Sequence, residues 1–346
     1  MKIAVLSTFD ESVPPPKYGG IELVIANFIE VLTKQGHDVT LFATGDSKTN
    51  AHLIPTFPKA FRKYDEFQNA KLRDSMKVKE VAKIVSHLSK NKYDIIHNNI
   101  GWRILAFEEM LASPIVTTLH GPLEPEDQNK IYGSFPETNY VSISMNQRNP
   151  LPNVNYVANV YNGLDTKKFK YFDRPQDYYA FLGRFSPEKG PVQAIEIAKK
   201  ASVKLKMAAK IDPHDSEFYE KEVKPLIDGD QIEYIGEIGH KEKVELLGNA
   251  KALIAPIQWE EPFGLFFVES MICGTPVLAT DRGSTKELII DGETGFLRST
   301  TDELAAKIPE IEKLDRRKCH EHAQENFSKE KMAAGYLEAY EKVIKK

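Results

Sequence analysis

The chain has 346 residues, 41% of them hydrophobic and 28% charged, with a formal net charge of −4 at neutral pH. That length accommodates two domains with their own cores, and the negative balance argues against general nucleic-acid binding. Two cysteines, Cys273 and Cys319, cannot staple a chain of this size; a reducing cytoplasm is the expected setting, and without CxxC or HExxH spacing no metal centre is expected.

The stretch MKIAVLS opens with a lysine and apolar residues, but no small-residue cleavage site follows, so it reads as a first buried strand rather than a signal peptide. A Pro/Gly-rich loop leads to IELVIANFIEVLTKQG (21–36), where Leu23, Phe28, Val31 and Leu32 recur at helical spacing and Gly36 supplies a stop. Further strands are expected at DVTLFAT (38–44), DIIHNN (94–99), PIVTTLH (114–120) and YVSIS (140–144). Between them, residues 59–92 carry ten Lys or Arg against four acids. That segment is either a solvated helical face or a patch for an anionic lipid surface or an anionic acceptor. No apolar run reaches the length of a membrane span.

The rhythm restarts after a polar stretch near 149–173. YYAFLGR (178–184), KLKMAAK (204–210), QIEYIGE (231–237), KALIAPI (251–257), TPVLAT (275–280) and GFLRS (295–299) read as strands, with helical patterns at 190–201 and 329–346. Alternating strands and helices imply parallel sheets covered on both faces. Two open α/β domains result, at 1–160 and 161–328, with 329–346 as a terminal helix. Ligands of such sheets bind beyond the carboxyl ends of the strands, so two facing domains would form a cleft.

Several strand-end loops carry residues suited to that place. The first lacks the GxGxxG turn of a dinucleotide-binding dehydrogenase; it has Gly19 and Gly20 before a helix, which serve either a plain turn or a close approach to an anion. His120 ends another strand and can face a sugar hydroxyl or a developing charge, or be structural; His97 has a weaker case. In GRFSPEKG, Arg184 and Lys189 follow a strand and precede a helix, a spacing that lets both reach one anionic ligand.

The stretch WEEPFGLFFVESMICGTPV places Glu261 and Glu269 eight residues apart. Pro262 suits the first turn of a helix, which would make the amides of Phe263, Gly264 and Leu265 unpaired first-turn donors, with Gly264 clearing room for a ligand. On one helix the carboxylates would stand about 12 Å apart along the axis. Two acids so spaced suit an elongated, hydroxyl-rich ligand such as a nucleotide-sugar.

Taken together, YGGIE, GHDVTLFATGDS, NGLD (162–165), GRFSPEKG, EPFGLFFVE and GTPVLATDRGSTKELIIDGETGFL resemble the retaining, nucleotide-sugar-dependent glycosyltransferases of the family-four group, also called glycosyl transferases group 1. The resemblance covers nearly the whole chain. It implies a GT-B fold: two Rossmann-like domains facing across a cleft, with the C-terminal helix crossing back to the first. It also implies hexosyl transfer from a UDP- or GDP-sugar to a saccharide or lipid-linked acceptor, with retention, without a metal and without a further cofactor.

By the same resemblance, Glu261 with the amides of Phe263, Gly264 and Leu265 would hold the donor hexose, and Glu269 the ribose. Arg184 and Lys189 would neutralise the diphosphate, Gly19 and Gly20 would approach phosphate or acceptor, and His120 would contact the hexose. Glu287 would support loop packing. No acidic cluster of the DxD kind is expected in a strand-end loop. DRGST carries one glycine where many relatives carry two, and Cys273 replaces a frequent alanine as a small buried residue. The setting implied is cytoplasmic, with peripheral membrane contact through 59–92; the oligomeric state stays open. Two other readings compete: a GT-B nucleotide-sugar epimerase, and a silent nucleotide-sugar-binding partner of another transferase.

Overall fold

Short β-branched and apolar runs separated by amphipathic helices build two parallel sheets in the computed structural model, which describes residues 1–16 and 19–345. Tyr18 of the glycine loop and the terminal Lys346 lie outside the described residues. Met1–Leu164 and Lys329–Lys346 form one unit, and Asp165–Ser328 the other. The change falls inside the NGLD stretch.

In the first unit the strands are β1 (Lys2–Leu6), β2 (Asp38–Ala43), β3 (His52–Pro55), β4 (Ile95–Asn98), β5 (Ile115–Thr118), β6 (Asn139–Ser142) and β7 (Tyr156–Asn159), with helices α1 (Gly20–Lys34), α2 (Ala70–Leu88) and α3 (Glu126–Gly133). The spatial order is β3-β2-β1-β4-β5-β6-β7, all parallel. The edge strands β3 and β7 escape the sequence pattern. Each has four residues, half-buried or exposed, so neither shows the continuous apolar run of the central strands.

The second unit has β8 (Tyr179–Arg184), α4 (Pro191–Lys200), β9 (Leu205–Lys210), α5 (Ser216–Phe218), β10 (Ile232–Gly236), α6 (His240–Asn249), β11 (Leu253–Ala255), α7 (Leu265–Ile272), β12 (Val277–Thr280), α8 (Thr285–Leu288), β13 (Gly295–Arg298), α9 (Thr301–Lys307) and α10 (Arg316–Asn326). Its parallel sheet runs β10-β9-β8-β11-β12-β13. Arg316 staples this unit. Its guanidinium donates to the carbonyls of Phe172, Ala250 and Gly248 and to Thr275 Oγ1, at 2.7–2.9 Å.

The last helix, α11 (Lys329–Ile344), belongs to the first unit and packs on α1 and β7. Its attachment is polar as well as apolar. His97 of β4 is buried; its Nδ1 lies 2.6 Å from the Tyr340 hydroxyl and its Nε2 lies 2.8 Å from Thr118 Oγ1, which in turn meets the Tyr336 hydroxyl at 3.0 Å. The Phe28 ring of α1 stands edge-on to His97. His97, the weaker histidine of the sequence reading, is thus a core group. At the start of α11, the nearly buried Lys329 pairs with Glu30 at 2.9 Å. No helix among the described residues is long and apolar enough to cross a membrane.

Two outcomes follow. Tyr340→Phe leaves Nδ1 of the buried His97 without its partner, while Nε2 keeps Thr118, and should cost the first unit about 1–3 kcal/mol, read from the midpoint of chemical denaturation. Burial also pushes His97 down to about 3. Above about pH 6.5 the ring is neutral folded or unfolded; as pH falls from there towards 3, the unfolded chain takes a proton that the folded one refuses. Stability is therefore lost on acidification by up to about 1.4 kcal/mol per pH unit. His97→Gln should flatten that slope in denaturation curves taken between pH 7 and 5.

Candidate active site

In a parallel sheet every strand delivers its carboxyl end to the same edge. Of the suspected residues of the second unit, Arg184 and Lys189 lie at the end of β8 and in the loop after it, Glu261 to Gly264 lie in the loop after β11, and Leu265 and Glu269 lie in α7. Arg184 closes β8. Its guanidinium is surrounded by acid: Nη2 contacts the Glu188 carboxylate, and Nη1 lies 3.4 Å from Asp212 Oδ2 and 3.7 Å from Asp215 Oδ2. Lys210, the last residue of β9, adds a 2.5 Å contact to Asp212 Oδ1. Burial pushes the Asp212 carboxyl up, yet Lys210 and Arg184 together hold it below its ordinary value. Asp215 is raised by burial, and its Oδ2 is enclosed without a hydrogen bond.

Asp212, His214 and Asp215 bring three ligand atoms within 4.8 Å of one another, an acidic cluster in a strand-end loop that the sequence reading does not single out. Its spacing is D-x-x-D, not the DxD whose absence is expected. Both carboxylates are committed to Arg184 and Lys210, so a dication there would be set against two resident cations. The cluster acts as the counter-charge of the arginine.

Lys189 goes elsewhere. Gly190, in the left-handed region at φ +69°, turns the chain into α4 so tightly that a Cβ would fall 2.0 Å from the Pro256 carbonyl oxygen. Lys189, just before it, puts its ammonium on Glu261 Oε2, 5.1 Å from the Trp259 ring and 5.0 Å from the Phe266 ring. The structure therefore separates the two cations by partner: Arg184 belongs to an acid trio, Lys189 to Glu261.

The loop after β11 also differs from its expected form. Helix α7 begins at Leu265, with Gly264 as its cap in the left-handed region at φ +78°. Pro262 and Phe263 stand before the helix, so of the three amides expected as first-turn donors only that of Leu265 belongs to it. Gly264 does not clear ligand space either, because a Cβ there would fall 2.5 Å from the Phe267 ring. The 12 Å axial spacing does not apply, since Glu261 is not on the helix. The physical reason is the tether across to DRGST: the Gly283 amide donates to Glu260 Oε2 at 2.7 Å, the Ser284 amide to the Glu261 carbonyl at 3.0 Å, and Ser284 Oγ to the Phe263 carbonyl at 2.7 Å.

Both carboxylates of the motif are nearly buried, Glu261 at 7% exposure and Glu269 at 5%. Each is held through one oxygen. Glu261 Oε2 takes Lys189 and, at 3.1 Å, the Trp259 indole N–H; Glu269 Oε1 takes Lys243 of α6. The other oxygen of each receives no hydrogen bond among the described residues. Sequence reasoning missed Trp259, Lys243, Gly283 and Ser284. Trp259 lies inside the quoted stretch, while the other three are near only in space. Glu287 is half-buried in α8, and Cys273 is buried with its thiol pushed up to about 12 by burial.

The first unit holds the remaining candidates. His120 follows β5; its Nε2–H donates to Asn99 Oδ1 at 2.8 Å, because an amide oxygen can only accept. Burial pushes the ring down to about 4, so it is neutral and Nδ1 is an acceptor. Gly20 opens α1, and Gly19 is packed by its own chain: a Cβ would lie 2.6 Å from Pro15 Cβ and 3.0 Å from Glu22 Oε2. Glu22 is buried, accepts from Thr8 Oγ1, and is raised by that burial. In the basic 59–92 segment, Arg62, Lys63, Lys77 and Lys83 are paired with Glu11, Asp46, Asp10 and Glu80. Lys59, Lys71, Arg73, Lys79, Lys90 and Lys92 are exposed, as are Leu72 and Val78; of these, Lys71, Leu72, Arg73, Val78 and Lys79 lie on α2.

Residues 165–330 match the glycosyl transferases group 1, and residues 18–167 match Glycosyltransferase Family 4. An uncharacterised glycosyltransferase of Methanocaldococcus jannaschii is 25% identical over 98% of this chain and 99% of its own. Among solved structures, the sucrose-phosphate synthase of Thermosynechococcus elongatus is similar at TM-score 0.79 and 20% identity, over 99% of both chains. The Anabaena HepE protein in complex with UDP and glucose is similar at TM-score 0.75 and 18% identity, over 99% of this chain and 100% of that one.

The tether predicts a test. Gly283 is in the left-handed region at φ +58°, and a Cβ there would fall 2.3 Å from the Glu261 nitrogen. Gly283→Ala should destabilise the second unit by about 1–3 kcal/mol, measured by thermal or chemical unfolding.

Proposed function

Because the chain belongs to the family-four, group 1 glycosyltransferases with the GT-B fold, we propose that it moves a hexosyl group from a nucleoside-diphosphate sugar to a hydroxyl of a saccharide or lipid-linked acceptor, with retention. The observation that carries this reading is the pair Glu261 and Glu269: two nearly buried carboxylates in one strand-end motif, each held by a lysine through one oxygen. In this reading the second oxygen of Glu261 accepts from donor hexose hydroxyls, and that of Glu269 from the ribose. Carboxylates accept without donating, which suits ligand hydroxyls.

Departure of the nucleoside diphosphate develops negative charge on phosphate. Fixed cations stabilise that charge most when they are already oriented. Arg184 is oriented by Glu188, Asp212 and Asp215, and Lys189 by Glu261 and two aromatic rings. These two side chains are the cations assigned to the leaving group, so turnover should persist in a chelator. By the family resemblance, the neutral His120 would accept from a hexose hydroxyl through Nδ1, and Gly20 with Gly19 would approach phosphate or acceptor. Retention rests on the family resemblance and is read from the anomeric coupling constant of the product. UDP, bound in HepE, is the first base to try, and GDP the second. The exposed lysines of 59–92 would lie against an anionic membrane carrying a lipid-linked acceptor.

Arg184→Ala should lower turnover by about a hundredfold or more, the scale of one lost transition-state donor. Normal turnover in that variant would remove the phosphate from Arg184. Glu269→Ala should weaken binding of the free nucleoside diphosphate more than it lowers the rate at saturation; unchanged nucleotide affinity, by calorimetry, would end the ribose assignment.

A further inference from the structure

Trp259 touches both charged partners of the hexose end of the motif. Its indole Nε1–H donates to Glu261 Oε2 at 3.1 Å, the oxygen that also takes Lys189, and the Lys189 ammonium lies 5.1 Å from the indole ring. Glu261 Oε1 receives no hydrogen bond among the described residues. The two donors on Oε2 differ in kind. A lysine is a compact charge on a flexible stem, free to turn towards any new anion. An indole N–H points in one direction fixed by a rigid ring. When a diphosphate draws Lys189 towards itself, the indole is the donor that still defines which carboxylate oxygen faces outward. Lys189 loses little by the shift, since the Trp259 and Phe266 rings stabilise it from the side.

We propose that Trp259 is a positioning residue for donor recognition: its indole N–H locks Glu261 so that Oε1 is presented to a hexose hydroxyl. This rests on the reading of Glu261 as the hexose-binding carboxylate. The action is on the sugar half of the donor and not on the nucleotide half, which separates it from a packing role.

The test uses the full chain and calorimetric titration with UDP, UDP-glucose, GDP and GDP-mannose. The measured quantity is the Kd of each nucleotide-sugar divided by that of its free diphosphate. Trp259→Phe keeps a ring over Lys189 and removes the N–H. Its ratio should rise about tenfold to a hundredfold, the worth of one hydrogen bond to a charged group, while the Kd for the free diphosphate stays within about twofold. Glu261→Gln should raise the same ratio. If Glu261→Gln raises it and Trp259→Phe leaves it as in the wild type, the positioning role is overturned and the hexose assignment stands. If the wild type binds none of the four ligands, or if Glu261→Gln leaves the ratio unchanged, the underlying reading falls and the positioning role with it. Equal weakening of diphosphate and nucleotide-sugar by Trp259→Phe would mean packing alone and would also overturn it. Should Trp259→Phe not fold, Trp259→His, which keeps a ring N–H, and Trp259→Leu, which keeps only bulk, carry the comparison: the ratio is preserved in the first and raised in the second.

Discussion

A carboxylate that is nine-tenths buried needs a cation or a donor beside it, because desolvation otherwise drives it to the neutral acid. That constraint organises the second unit. Glu261 and Glu269 satisfy it with Lys189 and Lys243, which arrive from different elements: the turn before α4 and the face of α6. Removing one partner of such a pair leaves an uncompensated charge, at a cost of about 3–5 kcal/mol. The pairs therefore tie the turn before α4 to the loop before α7, and α6 to α7. Each carboxylate gives one oxygen to the fold and leaves the other without a hydrogen bond among the described residues, the oxygen that the proposed function assigns to a ligand hydroxyl.

Arg184 poses the opposite problem. A guanidinium proposed to meet phosphate is surrounded here by three carboxylates. Its attraction for an incoming anion is reduced by those neighbours, while its orientation is fixed by them. For a leaving group whose charge grows only in the transition state, orientation is the more useful of the two. A donor set in place avoids reorganisation at the moment the bond breaks, whereas strong ground-state attraction would tighten substrate and transition state alike. Lys210 keeps the local sum from becoming strongly acidic by taking the second oxygen of Asp212.

The central strands and the alternation of helix and strand are legible in the sequence, because central parallel strands are apolar on both faces and helices repeat at 3.6 residues. The return of the last helix comes from the family resemblance, not from the pattern. The edge strands β3 and β7 are not, since half-exposed four-residue strands carry no such signal. Of the site, the identities of Glu261, Glu269, Arg184 and Lys189 are visible as residue types in strand-end loops. Their pairing is not. Nothing in the spacing of 184 and 189 says that one cation turns to Asp212 and the other to Glu261, because those partners are 28 and 72 residues away. Reading Pro262 as a helix start failed for a similar reason. The local rule was sound, but Gly283 and Ser284 hold that loop from outside, and the helix waits for Gly264.

His120 shows how one hydrogen bond fixes chemistry that residue type leaves open. A strand-end histidine can donate, accept or carry charge. Asn99 has its own amide nitrogen spent on the Leu6 carbonyl, so its oxygen faces the ring and fixes the proton on Nε2. Burial then keeps the second proton off, and the ring sits near 4. What is left at Nδ1 is a neutral acceptor across the whole physiological pH range. A neutral acceptor suits a sugar hydroxyl, and it places no cation beside a sugar that gains positive character as its bond to phosphate breaks. If His120 meets the hexose as proposed, the property it brings is therefore a fixed lone pair, its capacity to titrate being suppressed by the fold.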